Sequence, residues 1–121
     1  MRSRGIDVTV LGPIVEYDTA LPRLLADEML HHSPDIASAT RTPGIHERDL
    51  VLGRMVTARG ATYVSVYDAV CRNGRCDEFA DGDIPLQFDA GHLTAQGSVE
   101  VGRRLSTFFV GKLARADDAS N

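Results

Sequence analysis

Asp89 and His92 are the residues of this 121-residue chain whose types and spacing best support catalysis. They lie three positions apart in a glycine-containing stretch, just ahead of Thr94, which is a candidate helix N-cap. A carboxylate beside an imidazole holds its tautomer and stabilises its protonated form, so the imidazole can take a proton from a hydroxyl nucleophile. The structural alternative is that Asp89 closes a turn and His92 is a surface residue beside the cap.

Cys71 and Cys76 are the second candidate pair, and the Asn73-Gly74 dipeptide between them is a strong turn signal. A turn there can bring the two sulfurs within bonding distance, which favours a disulfide-closed loop in an oxidising compartment. Two free thiols in a cytosolic protein fit the same residues. The spacing is not that of a CxxC motif and the chain has no second cysteine pair, so a zinc site is not predicted.

Two other groups of polar residues have weaker functional interpretations. His31 and His32, with His46 or Asp35, could be considered as metal ligands, but no second pair lies at ligand spacing. Imidazoles near a helix C-terminus are favourable without a metal, so no metal site is predicted. Residues 16–18 follow the first predicted strand, where they either cap a loop or line a cleft at the strand's C-terminal edge.

Composition excludes several classes of protein. Lys and Arg total 13 against 17 Asp and Glu, a net charge of −4, which argues against general nucleic-acid binding. No apolar run approaches the roughly 20 residues that a bilayer-spanning helix needs. The first apolar stretch is short and interrupted by Asp7 and Thr9, so it predicts a strand rather than a secretion signal.

The sequence pattern predicts strands separated by helices. In chain order we expect a strand over 6–11, a helix from Leu21, a polar loop over 33–43, a helix ended by Gly60, a strand over 62–70, a long loop over 73–91 and a helix from Thr94. Predicted N-caps are Asp18 or Thr19 for the first helix, Thr42 (followed by Pro43) for the second and Thr94 for the last.

Apolar side chains recur at helical spacing in all three of these helices, and in the first they are Leu21, Leu24, Leu25 and Met29. In the second helix Asp49 is predicted to lie off the apolar face. The predicted core positions are Ile45, Leu52, Met55 and Val56 in the second helix and Val101, Leu105, Phe108, Phe109 and Leu113 in the last.

Strands joined through helices pair in parallel, which predicts an α/β layered fold with a short parallel sheet. Two strands are few for a parallel sheet, because such sheets are normally covered on both faces and flanked by further strands. The chain therefore looks like the second half of a larger domain.

Several motifs together resemble one family. They are a Tyr67-Asp68 pair after a strand, the Cys71 and Cys76 pair, the stretch PLQFD over 85–89, the stretch DAGHLT over 89–94 and the upstream VTVLGPIVEYD over 8–18. This pattern resembles the C-terminal part of SGNH hydrolase domains. It is most similar to the SGNH domain attached to membrane acyltransferases that O-acetylate surface polysaccharides.

The resemblance implies a partial three-layer α/β/α, flavodoxin-like fold and a serine-dependent acyl-transfer reaction. His92 would be the catalytic base, Asp89 its acidic partner, and Cys71 with Cys76 a structural disulfide. The implied reaction is O-acetyl transfer to carbohydrate or hydrolysis from it, without metal or organic cofactor. The implied partners are a carbohydrate or acyl-ester substrate and an upstream membrane acyltransferase domain, on the extracytoplasmic side.

The chain departs from the family at its nucleophile. No Gly-Asp-Ser block is present, and neither Asn73 nor Asn121 matches the family's oxyanion asparagine. We therefore expect residues 1–114 to form the C-terminal portion of an SGNH-type domain, followed by a disordered tail over 115–121, with no meaningful esterase activity in isolation. The alternatives are a non-catalytic remnant that acts as a folding or interaction module, and an unrelated small cytosolic α/β protein.

Overall fold

Two short strands form the parallel sheet. The computed structural model describes the backbone of residues 5–120 and the side chains of residues 5–107. Strand β1 (Thr9–Leu11) pairs in parallel with β2 (Thr62–Val64), with Val10 opposite Tyr63. The crossover between them contains three helices, α1 (Leu21–His31), α2 (Ile36–Ala39) and α3 (Ile45–Ala58). The predicted α/β fold with a short parallel sheet is confirmed.

Helix α1 begins at Leu21 as predicted, but neither Asp18 nor Thr19 caps it. The N-cap position is Ala20, which has no side chain able to accept a hydrogen bond. The backbone N–H of Leu21 instead donates to the carbonyl of Asp89 at 3.2 Å. A distant loop therefore takes the place of the local cap.

Helix α3 begins at Ile45 after Gly44, so the prediction that Thr42 caps it and Pro43 opens it is wrong. The N–H of Thr42 donates to the carbonyl of Glu16 at 2.8 Å, and Arg41 forms an antiparallel bridge with Tyr17. These contacts hold the chain extended up to Thr42, which leaves the left-handed Gly44 (φ 88°) to start the helix.

The apolar face predicted for α3 is only partly buried. Ile45 lies in the core, but Met55 is 52% exposed. The prediction that Asp49 lies off the buried face is wrong, because Asp49 is only 2% exposed.

Strand β2 ends at Val64, and the predicted strand over 62–70 continues as a helix. In α4 (Val66–Val70) the hydroxyl of Ser65 accepts a hydrogen bond from the N–H of Asp68 at 2.9 Å, which is a regular N-cap interaction. A side chain that satisfies a free helix N–H favours the helix over continued strand.

The stretch 71–85, most of which was predicted to be loop, forms two antiparallel hairpins. One joins β3 (Cys71–Arg72) to β4 (Arg75–Cys76), and the other joins β5 (Phe79–Asp81) to β6 (Ile84–Pro85). Asn73 (φ 54°) and Gly74 (φ 79°) make the left-handed turn of the first hairpin. Cys71 lies opposite Cys76 and the two form a disulfide, so that prediction is confirmed.

The last helix, α5 (Ala95–Ser120), begins as predicted, because the hydroxyl of Thr94 accepts a hydrogen bond from the N–H of Gly97 at 2.9 Å. The predicted core positions Phe108, Phe109 and Leu113 and the predicted tail over 115–121 lie outside the residues whose side chains are described. Within residues 5–120 no helix is both long and apolar enough to cross a bilayer.

The main core leaves β1 largely uncovered. Val10 and Leu11 of β1 are 36% and 52% exposed. The core is built from the segment after β1, from α1, α2, α4, the first hairpin and α5, and its buried members are Val15, Tyr17, Leu21, Leu24, Leu25, Ala37, Val66, Val70, Cys71, Cys76, Leu86 and Val101.

Candidate active site

The stretch 86–94 forms a closed loop that is pinned at its base. Gln87 and Leu93 form an antiparallel bridge, and the N–H of Phe88 donates to the carbonyl of His92 at 2.9 Å. The fully buried side chain of Gln87 donates from Nε2 to the carbonyl of Val15 at 2.9 Å. These bonds attach the loop to the chain segment that follows β1.

Asp89 and His92 are in direct contact at the tip of this loop. The imidazole Nδ1 of His92 lies 2.7 Å from Oδ2 of Asp89. The other carboxylate oxygen, Oδ1, accepts hydrogen bonds from the N–H groups of Gly91 (2.8 Å) and His92 (2.7 Å). An ionised carboxylate only accepts hydrogen bonds, so Nδ1 carries the proton in this pair and Nε2 of His92 remains free to take another.

The environment of Asp89 keeps it ionised. The hydrogen bond from the N–H of Gly91, followed by the bonds and charge of His92, lowers the pKa of Asp89 below its ordinary value against a smaller opposing effect of burial. The side chains of His92 and Asp89 are 77% and 41% exposed. The imidazole is therefore open to a substrate, and solvent screens its attraction to the carboxylate.

Main-chain contacts place this pair beside the segment that leaves β1. The N–H of Tyr17 donates to the carbonyl of Ala90 at 2.9 Å. A Cβ placed on Gly91 would lie 3.3 Å from Cγ of Glu16, whose side chain is exposed. The carboxyl ends of parallel strands are where α/β folds generally hold their sites.

Residues 16–18, which were predicted either to cap a loop or to line a cleft, divide into two kinds. Glu16 and Asp18 are exposed, whereas Tyr17 is 3% exposed and belongs to the core. Of the three, Glu16 is the residue whose side chain lies next to Gly91, in the loop of His92. The accessible carboxylate next to the candidate pair is therefore Glu16.

The serine hydroxyls of the described residues have other partners or none, and none of them forms a hydrogen bond with His92. Ser38 and Ser106 donate to nearby backbone carbonyls at 3.1 and 2.7 Å. Ser65 donates to the carboxylate of Asp49 at 2.6 Å. Among residues 5–107 the pair has a base and an acid, and no hydroxyl nucleophile is bonded to the base.

Sequence reasoning missed a second polar cluster, which joins α3 to the end of β2. The buried carboxylate of Asp49 accepts hydrogen bonds from the hydroxyls of Tyr63 and Ser65, both at 2.6 Å. Burial, and then the bond to Asp49, raises the pKa of Tyr63 above its ordinary value. A Cβ on Gly12 would collide with the Tyr63 hydroxyl. This glycine, directly after the first predicted strand, was the one sequence signal of a close approach there.

This cluster lines an open cleft of about 580 Å³, separate from the loop of His92. Its walls come from α3 and from the stretch 63–68, and include Arg54 and Asp68. No group of three or more His, Cys, Asp or Glu side chains among the described residues is arranged to hold a metal ion.

An exposed carboxylate–imidazole pair of this geometry can take a proton from a hydroxyl group brought to Nε2. The family model of the SGNH domain (fused to AT3 domains) matches residues 1–107, and the chain belongs to this family. The resemblance drawn from the motifs is thereby confirmed.

The fold has a match among solved structures. The chain is similar to the lipopolysaccharide acetyltransferase periplasmic domain of Salmonella ser. Paratyphi A, with a TM-score of 0.76 and 21% sequence identity. The match covers 89% of this chain and 43% of that one, so the chain spans less than half of that domain's length. The search of curated proteins found no match.

Proposed function

We propose that this chain supplies the carboxylate–imidazole half of a serine-dependent SGNH domain that transfers O-acetyl groups to carbohydrate or hydrolyses them from it. One observation carries the proposal: Nδ1 of His92 lies 2.7 Å from Asp89 in an exposed loop that is bonded to the segment following β1. Membership of a family whose SGNH domains are fused to AT3 domains supports it.

In the proposed mechanism a serine from outside these 121 residues attacks the acetyl carbonyl. Nε2 of His92 takes the serine proton, and Asp89 stabilises the imidazolium that forms. The tetrahedral oxyanion collapses to an acetyl-serine and releases the first alcohol, which receives the proton from His92. A sugar hydroxyl or water then attacks the acetyl-serine, again with His92 as base. Metal and organic cofactor have no role in this scheme.

We further propose that the domain works on the extracytoplasmic side of a membrane, next to an AT3 acyltransferase domain. The disulfide between Cys71 and Cys76 favours an oxidising compartment. The similar structure from Salmonella is described as a periplasmic domain of a lipopolysaccharide acetyltransferase. A surface carbohydrate is the corresponding substrate class.

The second candidate function is a non-catalytic folding or interaction module. It is favoured by the exposure of Val10 and Leu11 on β1, because an apolar strand at the side of a two-stranded sheet is suited to pairing with another strand. In this case the chain would bind a partner, and His92 would have no chemical role.

The experiment is to assay acetyl-ester hydrolysis with p-nitrophenyl acetate in two proteins. The first is the pure chain, for which we expect no turnover above the uncatalysed rate. The second is a longer SGNH domain in which these residues follow a Gly-Asp-Ser segment, for which we expect turnover that His92→Ala lowers by about 100-fold or more.

Two results would overturn the proposal. Turnover by the pure chain that His92→Ala abolishes would show that these residues contain their own nucleophile. Turnover by the longer domain that survives His92→Ala would show that His92 is not the base. Arg48→Ala, an exposed change on α3, is the matched control and should leave turnover unchanged.

A further inference from the structure

Phe88 is an exposed aromatic residue that the proposed mechanism does not use. It is 58% exposed and does not belong to the hydrophobic core or to the side chains packed against it. Its ring lies against the imidazole of His92, with centroids 5.9 Å apart and planes 23° apart. At this exposure Phe88 contributes little to the core, and the imidazole of His92 is its ring contact.

The backbone of the loop fixes this ring beside the imidazole. The bond from the N–H of Phe88 to the carbonyl of His92 holds the two residues opposite each other. Residues at such a cross-strand position have neighbouring side chains on the same side. The neighbouring residue Gln87 is buried, so its side chain points to the opposite face from Phe88. Exchanging the two faces would expose Gln87 and bury Phe88, and the burial of Gln87 therefore keeps Phe88 on the outer face.

We infer that Phe88 is a positioning residue for His92, which holds the imidazole plane and stabilises its protonated form. A single hydrogen bond from Nδ1 to Asp89 leaves the ring free to swing about that bond. A stacked aromatic face on one side restricts this swing and keeps Nε2 directed outward. The face of a phenyl ring also attracts a cation, so it favours the imidazolium that the reaction generates.

The test is an NMR comparison of the histidine ring protons in this chain between the parent, Phe88→Leu and Phe88→Tyr. Leucine keeps an apolar side chain without the aromatic face, and tyrosine keeps the face. In Phe88→Leu we expect the ring protons of His92 to lose their upfield ring-current shift, because the aromatic face is gone. Phe88→Tyr should restore that shift.

Two internal controls accompany this comparison. His46, which stacks on Tyr67 with centroids 5.1 Å apart, should keep its ring-proton shifts in all variants. Phe79→Leu, at the other exposed phenylalanine among the described side chains, should leave His92 unchanged. The charged groups that lie at the loop, Asp89 and Glu16, are the same in every variant. Unchanged ring-proton shifts of His92 in Phe88→Leu would overturn the inference.

The catalytic meaning of Phe88 rests on the proposed function, but the NMR readouts do not. If the longer domain shows no turnover dependent on His92, the proposed function fails while the NMR comparison still decides the contact. If it does turn over, Phe88→Leu should lower kcat while KM stays the same, because the phenyl ring acts on His92 and not on substrate binding, and Phe88→Tyr should restore kcat.

Discussion

Asp49→Ala tests the buried cluster that holds α3 to the end of β2. Asp49 is 2% exposed and accepts hydrogen bonds of 2.6 Å from Tyr63 and Ser65. Hydrogen bonds to a charged group contribute about 1.5–3 kcal/mol each, so two contribute about 3–6 kcal/mol. Removing the carboxylate also removes the cost of burying its charge. We therefore expect the free energy of unfolding to fall by about 2–4 kcal/mol.

Urea unfolding followed by circular dichroism measures this loss, with Arg48→Ala as an exposed control on the same helix. For a slope of about 2 kcal/mol per molar urea, the Asp49→Ala midpoint should fall by about 1–2 M, and the control should change by less than about 0.3 M. Tyr63→Phe removes one of the two bonds and should cost less than Asp49→Ala, whereas Ser65→Ala removes the other bond together with the N-cap of α4. A loss below about 0.5 kcal/mol in Asp49→Ala, as at a surface site, would refute this account.

Two further predictions concern stability. Replacing Cys71 and Cys76 with serine should cost about 2 kcal/mol in urea unfolding, since the bond closes a short loop in the unfolded chain; an unchanged midpoint would contradict this. Burial, and then the charge of Glu78, raises the pKa of Tyr17 to about 12, above its ordinary value of 10.0. The folded protein therefore holds the phenol proton more tightly than the unfolded chain does. This contribution to the free energy of unfolding is fully present below pH 10 and is lost as pH rises through 12. Tyr17→Phe should reduce this alkaline loss and, because the Tyr17 hydroxyl is buried without a partner, should not lower stability at pH 7; thermal unfolding across pH 7–12 checks both expectations.

Local signals predicted those parts of the fold whose interactions are short in sequence. The turn at Asn73-Gly74 is made by two residues that adopt left-handed backbone readily, and Thr94 bonds to a group three residues away. The contact between Asp89 and His92 is equally local, since one short loop contains both residues. Such features depend little on the rest of the chain.

The errors fall where a distant partner replaces a local one. Ala20 begins α1 without a side-chain cap because the carbonyl of Asp89 accepts the N–H of Leu21. Asp49 is buried because Tyr63 and Ser65, 14 and 16 residues later, donate to it. A helical pattern predicts that a carboxylate faces solvent unless its donors are known, and here the donors come from β2 and from the residue that follows it.

The loop of His92 combines a folding role and a proposed chemical role in different groups of the same residue. The backbone carbonyl of Asp89 caps α1, and the neighbouring carbonyl of Ala90 accepts the N–H of Tyr17 in the core segment. The carboxylate of Asp89 orders the loop and holds His92. These bonds therefore fix the position and direction of the loop before any substrate or further polypeptide segment is present. A base that is held in this way needs only a hydroxyl brought within reach of Nε2, which is why the proposed division of one active site between this chain and a serine outside it is physically workable.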